Sequence, residues 1–265
     1  MSIKPVSMKV ITSRDNPLFK ELLGLANDRR SRRQSRRALL DGPHLLQAAL
    51  DAGVVFQRLV FSETGATGEL ADWCLRLPQA PACVLPDAMF NCLTPVETPT
   101  GVLAVIEIPQ PLFTAQDACI VLLENIQDPG NLGALLRVAA AAGADAVHLS
   151  PGCAEAWSPK CLRGGQGAHF LLAIHENAEL PMLAKDFGAP VYAASLGASD
   201  VLFDLDLRGR VGFAFGNEGA GLSAQLCSVA QPFIIPMPGK VESLNVATAA
   251  AVCLFERVRQ LRNLR

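Results

Sequence analysis

The chain has 265 residues, half of them hydrophobic and 18% charged, with a formal net charge of −2. That balance allows a sizeable core and suits a small domain joined to a medium one. No apolar run reaches the length of a membrane span, because Pro, Gly or charges interrupt each candidate. Met1-Ser2-Ile3-Lys4-Pro5 lacks a signal-peptide core, so a soluble cytoplasmic protein is expected. The eight cysteines form no CxxC pair and the four histidines show no ligand-like spacing with them. Buried free thiols and no metal are the expectation.

Charge is unevenly placed. Residues 1–60 hold eleven Lys/Arg against five Asp/Glu, or +6, and the rest of the chain carries −8. Residues 8–34 read as a helix with a basic face, starting near Ser13 and Asp15-Asn16-Pro17. It runs into Arg29, Arg30, Arg32, Arg33, Arg36 and Arg37, six arginines in nine residues with no acid among them. Such density points to phosphate contact, so 1–37 is taken as a basic arm that meets an anionic partner. From 38 to 108 strands and helices alternate in a compact α/β module: strand 38–40, helix 43–52, strand 59–61, helix 68–77, strand 82–85 and strand 102–108. Pro109-Gln110-Pro111 opens a linker over 109–116.

Residues 117–265 read as a second α/β domain. Strands are expected at 118–123, 146–150, 190–194, 211–215 and 232–235. Helices are expected at 132–142, around 157–163, at 178–187, near 223–229 and at 246–262. The alternation implies a mainly parallel sheet covered on both faces. Three segments after its strands carry the chemistry. The first is Glu124-Asn125-Ile126-Gln127-Asp128-Pro129-Gly130-Asn131-Leu132-Gly133, leading to Arg137 on an alanine-rich helix. Asn131 reads as an N-cap there, but an arginine on so apolar a helix calls for a partner. The second is Phe215-Gly216-Asn217-Glu218-Gly219-Ala220-Gly221-Leu222-Ser223, whose glycines permit close approach and whose serine caps a helix. The third is Ile235-Pro236-Met237-Pro238-Gly239-Lys240-Val241-Glu242-Ser243-Leu244-Asn245, with Ser243 or Asn245 as a cap. None is G-x-G-x-x-G, and the strand ending at Ser150-Pro151-Gly152 supplies no acid for a ribose. A nucleotide-dependent oxidoreductase therefore lacks its fingerprint.

Together the three segments resemble the SpoU (TrmH-type) family of RNA ribose 2′-O-methyltransferases, of the SPOUT superfamily. The pattern N-x-x-D-x-x-N-x-G-x-x-x-R falls on Asn125, Asp128, Asn131, Gly133 and Arg137. F-G-x-E-x-x-G-L falls on Phe215, Gly216, Glu218, Gly221 and Leu222, and I-P-M-x-G-x-x-x-S-L-N-V runs from Ile235 to Val246. Residues 38–108 resemble the L30e-like substrate-binding domain often attached to the family. Where relatives commonly have a serine before Gly-Ala, this chain has Gly164-Gly165-Gln166-Gly167-Ala168-His169-Phe170. That departure bears on the substrate, not on the reaction.

The resemblance implies a trefoil-knotted, parallel-sheet methyltransferase domain and a homodimer. It implies an S-adenosylmethionine pocket at Ser195, Leu196, Gly197, Gly216, Asn217, Gly219, Ile235, Met237 and Leu244. Arg137, Asn131, Glu218, Ser243 and Asn245 would form the reacting site. The substrate is structured RNA, with rRNA favoured over tRNA by the L30e-like module. Two duties fit Arg137: general base, or clamp for a neighbouring phosphate. A guanidinium holds its proton far above neutral pH, so acting as a base near pH 7.5 is costly. A clamp needs no deprotonation. A non-catalytic RNA-binding protein on the same scaffold is the rival, and it would predict damage at Asn131, Arg137, Glu218 or Asn245. All four are intact.

Overall fold

The structure, a computed structural model, describes residues 8–111, 118–195, 197–217 and 219–262. Most of the expected linker lies outside the described residues, as do Leu196 and Glu218. The chain forms two compact units, Met1–Pro109 with Trp157–Phe170, and Gln110–Ala156 with Leu171–Arg265.

The first unit begins with β1 (Lys9–Val10), α1 (Pro17–Asn27), α2 (Arg29–Ser35), β2 (Arg37–Asp41) and α3 (Pro43–Asp51). It continues with β3 (Phe56–Ser62), α4 (Trp73–Arg76), β4 (Ala82–Leu85), α5 (Asp87–Phe90) and β5 (Val102–Glu107). The strands form one mixed sheet in the order β1-β4-β3-β5-β2. The single helix expected over 8–34 is thus broken into a strand and two helices. Asn16 starts α1 by accepting the Leu18 N–H at 2.9 Å, with Pro17 in the first turn. Asp28 ends α1 and restarts the chain as α2, accepting the Arg30 and Ser31 N–H groups at 3.0 Å each. Arg36, in a left-handed conformation at φ 55°, closes α2 so that Arg37 can enter a strand.

α1 belongs to this unit's core. Phe19, Leu22 and Leu25 are buried beside Leu39, Val60, Leu85, Phe90 and Leu103. Burying each such side chain contributes about 1.5–3 kcal/mol. The helix expected over 68–77 is also broken: two 3-10 turns, Gly65–Thr67 and Glu69–Asp72, precede α4. Gly68, extended at φ −119° and ψ −161°, interrupts them.

The second unit contains β6 (Cys119–Leu123), α6 (Pro129–Ala141) and β7 (Ala146–Leu149). After α7 (Pro159–Gly165), which belongs to the first unit beside β2, come β8 (Ala173–Glu176) and α8 (Leu180–Asp186). β9 (Val191–Ala194), β10 (Val211–Phe215), α9 (Ala224–Cys227), β11 (Gln231–Phe233) and α10 (Val246–Arg262) follow. All six strands are parallel, in the order β11-β9-β10-β6-β7-β8. β6 and β10 are buried along their whole length, as a strand covered on both faces must be. One face packs Ile120, Leu122 and Ala214 against Leu180, Ala184 and Leu226 of α8 and α9. Alternation sends Phe213 and Phe215 to the other face, where they join Tyr192 and Phe233 in a row of rings 6.3–6.5 Å apart.

β8 was not foreseen; its four residues, Ala-Ile-His-Glu, carry too little apolar signal. α6 starts at Pro129 and not at 132, because Asp128 is its N-cap and accepts the Asn131 N–H at 2.8 Å. Asn131 is therefore inside the first turn and not the cap. The chain moves outward from β6 through β7 to β8, then returns to lay β10 on the other side of β6. The β6–β10 junction is the switch point, where open α/β sheets bind ligands beyond their carboxyl ends.

On β7 and β8, His148 and His175 are register partners whose rings stack at 4.6 Å and 8°. Burial, and then the His175 ring beside it, push His148 down to about 4. Its folded value lies below its unfolded one, so its stabilisation is complete above about pH 6.5. It is lost as pH falls from there and levels off below about 4. Between pH 7 and pH 5 this histidine should cost the native state about 2 kcal/mol. Urea denaturation at both pH values should show a smaller acid loss in His148→Leu than in the unmodified protein; equal losses would refute the assignment.

Candidate active site

Three loops leave the carboxyl ends of β6, β10 and β11, and side chains tie them to one another. Glu124, directly after β6, is buried; its carboxylate accepts the Ser223 N–H at 2.6 Å and the Ser223 hydroxyl at 2.8 Å. Ser223 in turn caps α9, accepting the Leu226 N–H at 3.2 Å. Asn217 makes the second tie. Its amide donates to the Asn125 carbonyl at 3.0 Å, while its Oδ1 accepts the Gly219 and Ala220 N–H groups at 2.8 and 3.3 Å. The third joins the first and last loops: Asn245 Nδ2 donates to Asn131 Oδ1 at 3.0 Å. Asn245 Oδ1 caps α10 by accepting the Ala247 N–H at 2.9 Å.

The backbone between these ties is held by small groups. Asn125 sits at φ 56°, its N–H donating to Ser150 Oγ at 2.9 Å. Cys153 accepts the Ile126 N–H at 3.4 Å and donates to the Leu123 carbonyl at 3.1 Å. Burial pushes this thiol up, so it serves as a neutral bridge. Gly216 lies so near the returning chain that a Cβ would stand 2.3 Å from the Gly221 carbonyl carbon and oxygen. No side chain fits there.

The result is a cleft of about 170 Å³ at the ends of β9 and β10. Phe215, Gly216 and Leu222 form one wall, Ile234, Ile235 and Met237 another, and Ser243, Leu244, Val246 and Ala249 close it, with Ser195 and Asn217 at its edges. No titratable side chain lines it among the described residues. The N–H groups of Ile235, Met237 and Leu244 make no hydrogen bond to another described residue. A second cavity of about 270 Å³ adjoins it, sharing Asn217 and Val246 and reaching Gln127, Asp128, Asn131 and Gly219.

Of the expected donor-pocket residues, Ser195, Gly216, Asn217, Ile235, Met237 and Leu244 line the first cleft, and Gly219 lines the second cavity. Gly197 lines neither. Among the expected reacting residues, Ser243 lines the first cleft and Asn131 the second, and Asn245 stands behind Asn131. Arg137 lines neither cavity. The partner expected for it is not found among the described residues: it is exposed and makes no hydrogen bond or ion pair with any of them. α6 buries only the stripe Leu132, Gly133, Leu135, Leu136 and Ala139, so Arg137 projects from the side facing away from that core. Sequence reasoning missed Glu124 as a tie, although an acid directly after an apolar strand was the available signal. It also missed Phe215, Leu222, Val246 and Ala249 as walls.

In the first unit the arginine cluster divides. Arg32 is buried, its guanidinium donating to the Leu25 and Ala26 carbonyls at 2.6 and 3.3 Å, so it ties α2 to the end of α1. Arg37 is half-buried and pairs with Glu21 at 2.5 Å. Arg29, Arg30, Arg33 and Arg36 are exposed.

With the geometry in place, comparison assigns the class. Residues 118–255 match the SpoU rRNA Methylase family, and residues 16–104 match the MRM3-like substrate binding domain. The chain belongs to the SpoU rRNA methylase family. It is 34% identical, over 94% of its length and 98% of the relative's, to the 23S rRNA (guanosine(2553)-2′-O)-methyltransferase RlmP of Bacillus subtilis. Among solved structures, an AdoMet-bound rRNA methyltransferase from Sinorhizobium meliloti is similar at 28% identity and a TM-score of 0.83, covering 96% of this chain and 98% of that one. The SpoU methyltransferase AviRb of Streptomyces viridochromogenes, in complex with AdoMet, is similar at 26% identity and a TM-score of 0.84, covering 92% and 98%.

The crowding at Gly216 has a measurable consequence. Gly216→Ala should destabilise the protein by about 1–3 kcal/mol in chemical denaturation, since only backbone can yield. At Gly219 a methyl meets only Asn217 Oδ1, at 3.4 Å. Gly219→Ala should therefore leave stability nearly unchanged; equal effects at the two positions would contradict the packing described.

Proposed function

We propose that this protein transfers the methyl group of S-adenosylmethionine to a ribose 2′-hydroxyl of ribosomal RNA. The observation that carries the reading is the meeting of the chain ends of β9, β10 and β11 at one cleft lined by no titratable described residue, with the loop after β6 lining an adjoining polar cavity. Family membership, and relatives named as rRNA 2′-O-methyltransferases or solved with AdoMet, support it.

The residues present fit the donor. Apolar walls suit the faces of an adenine ring, and the backbone N–H groups of Ile235, Met237 and Leu244, which donate to no described residue, suit its polar edges. Bound there, S-adenosylmethionine supplies an electrophilic methyl carried on a positively charged sulfur. Gly216, Asn217, Ile235, Met237, Ser195 and Leu244 would hold it, together with Gly197, Gly219 and Leu196 from the adjoining loops. Asn131, Ser243 and Asn245 would position the hydroxyl through hydrogen bonds, and Glu218 would fix its own loop or the arginine. Transfer to the ribose oxygen would leave S-adenosylhomocysteine and release the hydroxyl proton to Arg137 or to water. Alignment of oxygen and methyl supplies much of the acceleration, roughly 7–11 kcal/mol for well-oriented reactants. Arg137 engages the acceptor strand, either taking the proton or clamping the adjacent phosphate.

The same reading includes a trefoil knot formed by the segment leading into α10, and a homodimer. Exposed Arg137 stands on a helix whose outward side is largely alanine, alongside α10 with its exposed Phe255. A second copy covering that side would give Arg137 the surroundings it lacks in one protomer. In the first unit, Arg29, Arg30, Arg33 and Arg36 meet RNA phosphates, while Arg32 and Arg37 hold the fold.

Two experiments bear on this. Arg137→Ala and Arg137→Lys should each lower methyl transfer to unmethylated rRNA by about a hundredfold or more while donor affinity, measured by calorimetry, stays within error. Unchanged turnover would sink the assignment. Replacing Arg29, Arg30, Arg33 and Arg36 with Gln should weaken RNA binding and reduce its log–log salt slope by about 0.7–0.9 per lost phosphate contact. An unaltered slope would remove this surface from the RNA interface.

A further inference from the structure

Among the described residues that line the cavity beside the donor cleft, one polar side chain makes no hydrogen bond to another described residue. Asp128 is engaged at the start of α6, accepting the Asn131 N–H. Asn131 accepts from Asn245, and Asn217 uses both ends of its amide. Gln127 lines the same cavity, is exposed, and makes no hydrogen bond to any described residue. Its backbone is nevertheless fixed on both sides. Ile126 is buried, with its N–H on Cys153 Sγ and its carbonyl accepting the Ala154 N–H at 2.7 Å. On the other side Asp128 caps α6. The carboxamide is thus carried on a rigid segment, at the mouth of a cavity that abuts the donor cleft through Asn217 and Val246.

We propose that Gln127 contacts the base of the acceptor nucleotide and holds it while the ribose meets the methyl donor. A carboxamide presents a donor and an acceptor side by side. That pairing matches a nucleobase edge, where an acceptor stands next to an N–H, and sequence-reading proteins take splayed RNA bases in this way. A ribose hydroxyl would need only half of it. Because no described residue engages the side chain, its chemistry is available to the substrate. The inference rests on the proposed methyl transfer to rRNA.

The test uses the full-length protein, tritiated S-adenosylmethionine and rRNA from a strain lacking this protein. Gln127→Ala and the similarly shaped Gln127→Met should each raise the KM for rRNA about tenfold, the loss expected for a pair of hydrogen bonds. In both variants kcat, donor affinity and melting temperature should stay close to the unmodified protein's. An unchanged KM in variants of an active enzyme overturns the inference and leaves the proposed function standing. A rise in KM accompanied by lower donor affinity and melting temperature also overturns it, because Gln127 would then be supporting the loop. If the unmodified protein transfers no methyl to rRNA, the proposed function fails and this inference with it; that failure shows in the parent protein, not in the variants.

Discussion

The carboxyl end of the second sheet depends on a buried carboxylate. Glu124 receives both the backbone N–H and the hydroxyl of Ser223, across two adjacent parallel strands. Parallel strands deliver their loops to one edge but do nothing to order them. Each ordered residue costs about 1–2 kcal/mol of backbone entropy, and glycine loops lose most. A hydrogen bond to a charged group returns about 1.5–3 kcal/mol, so a doubly bonded carboxylate can offset part of that cost. Asn217 on Asn125 repeats the tie between the same two loops, and Asn245 on Asn131 extends the device to the third. The β10 and β11 loops that wall the cleft are thus both held to the β6 loop, which lines the adjoining cavity.

That arrangement explains the character of the site. Polar side chains that would be expected to bind ligand are largely spent on binding one another, and the cleft wall is left to apolar groups and backbone. Such a wall is stiff and neutral, which suits a reaction whose main requirement is alignment of two atoms. Gly216 belongs to the same economy of space: the returning chain occupies the volume a side chain would need.

Much of this was legible in the sequence, for identifiable reasons. The six strands of the second unit are short and apolar, and five of them were placed within a residue or two. β8 escaped because two of its four residues are His175 and Glu176. The motif loops announced themselves through glycine, proline and asparagine at fixed spacing. Hydrogen-bond roles were harder to read. Asn131 looked like a cap, yet Asp128 takes that part and frees the Asn131 side chain for Asn245. Arg137 looked in need of a partner because its neighbours are alanines, but alanine is as much at home on a half-covered helix face. The basic stretch after residue 28 looked like one uninterrupted surface, and only three-dimensional packing could reveal that Arg32 turns inward onto two carbonyls.

The claim that tied loops create the donor site is tested most directly by a double-mutant cycle read as calorimetric affinity for S-adenosylhomocysteine. Glu124→Gln and Ser223→Ala should each weaken binding by about tenfold or more, and the double variant should be little weaker than the worse single one, since the two side chains act as a unit. Full affinity in folded Glu124→Gln, or losses that simply add, would contradict the account.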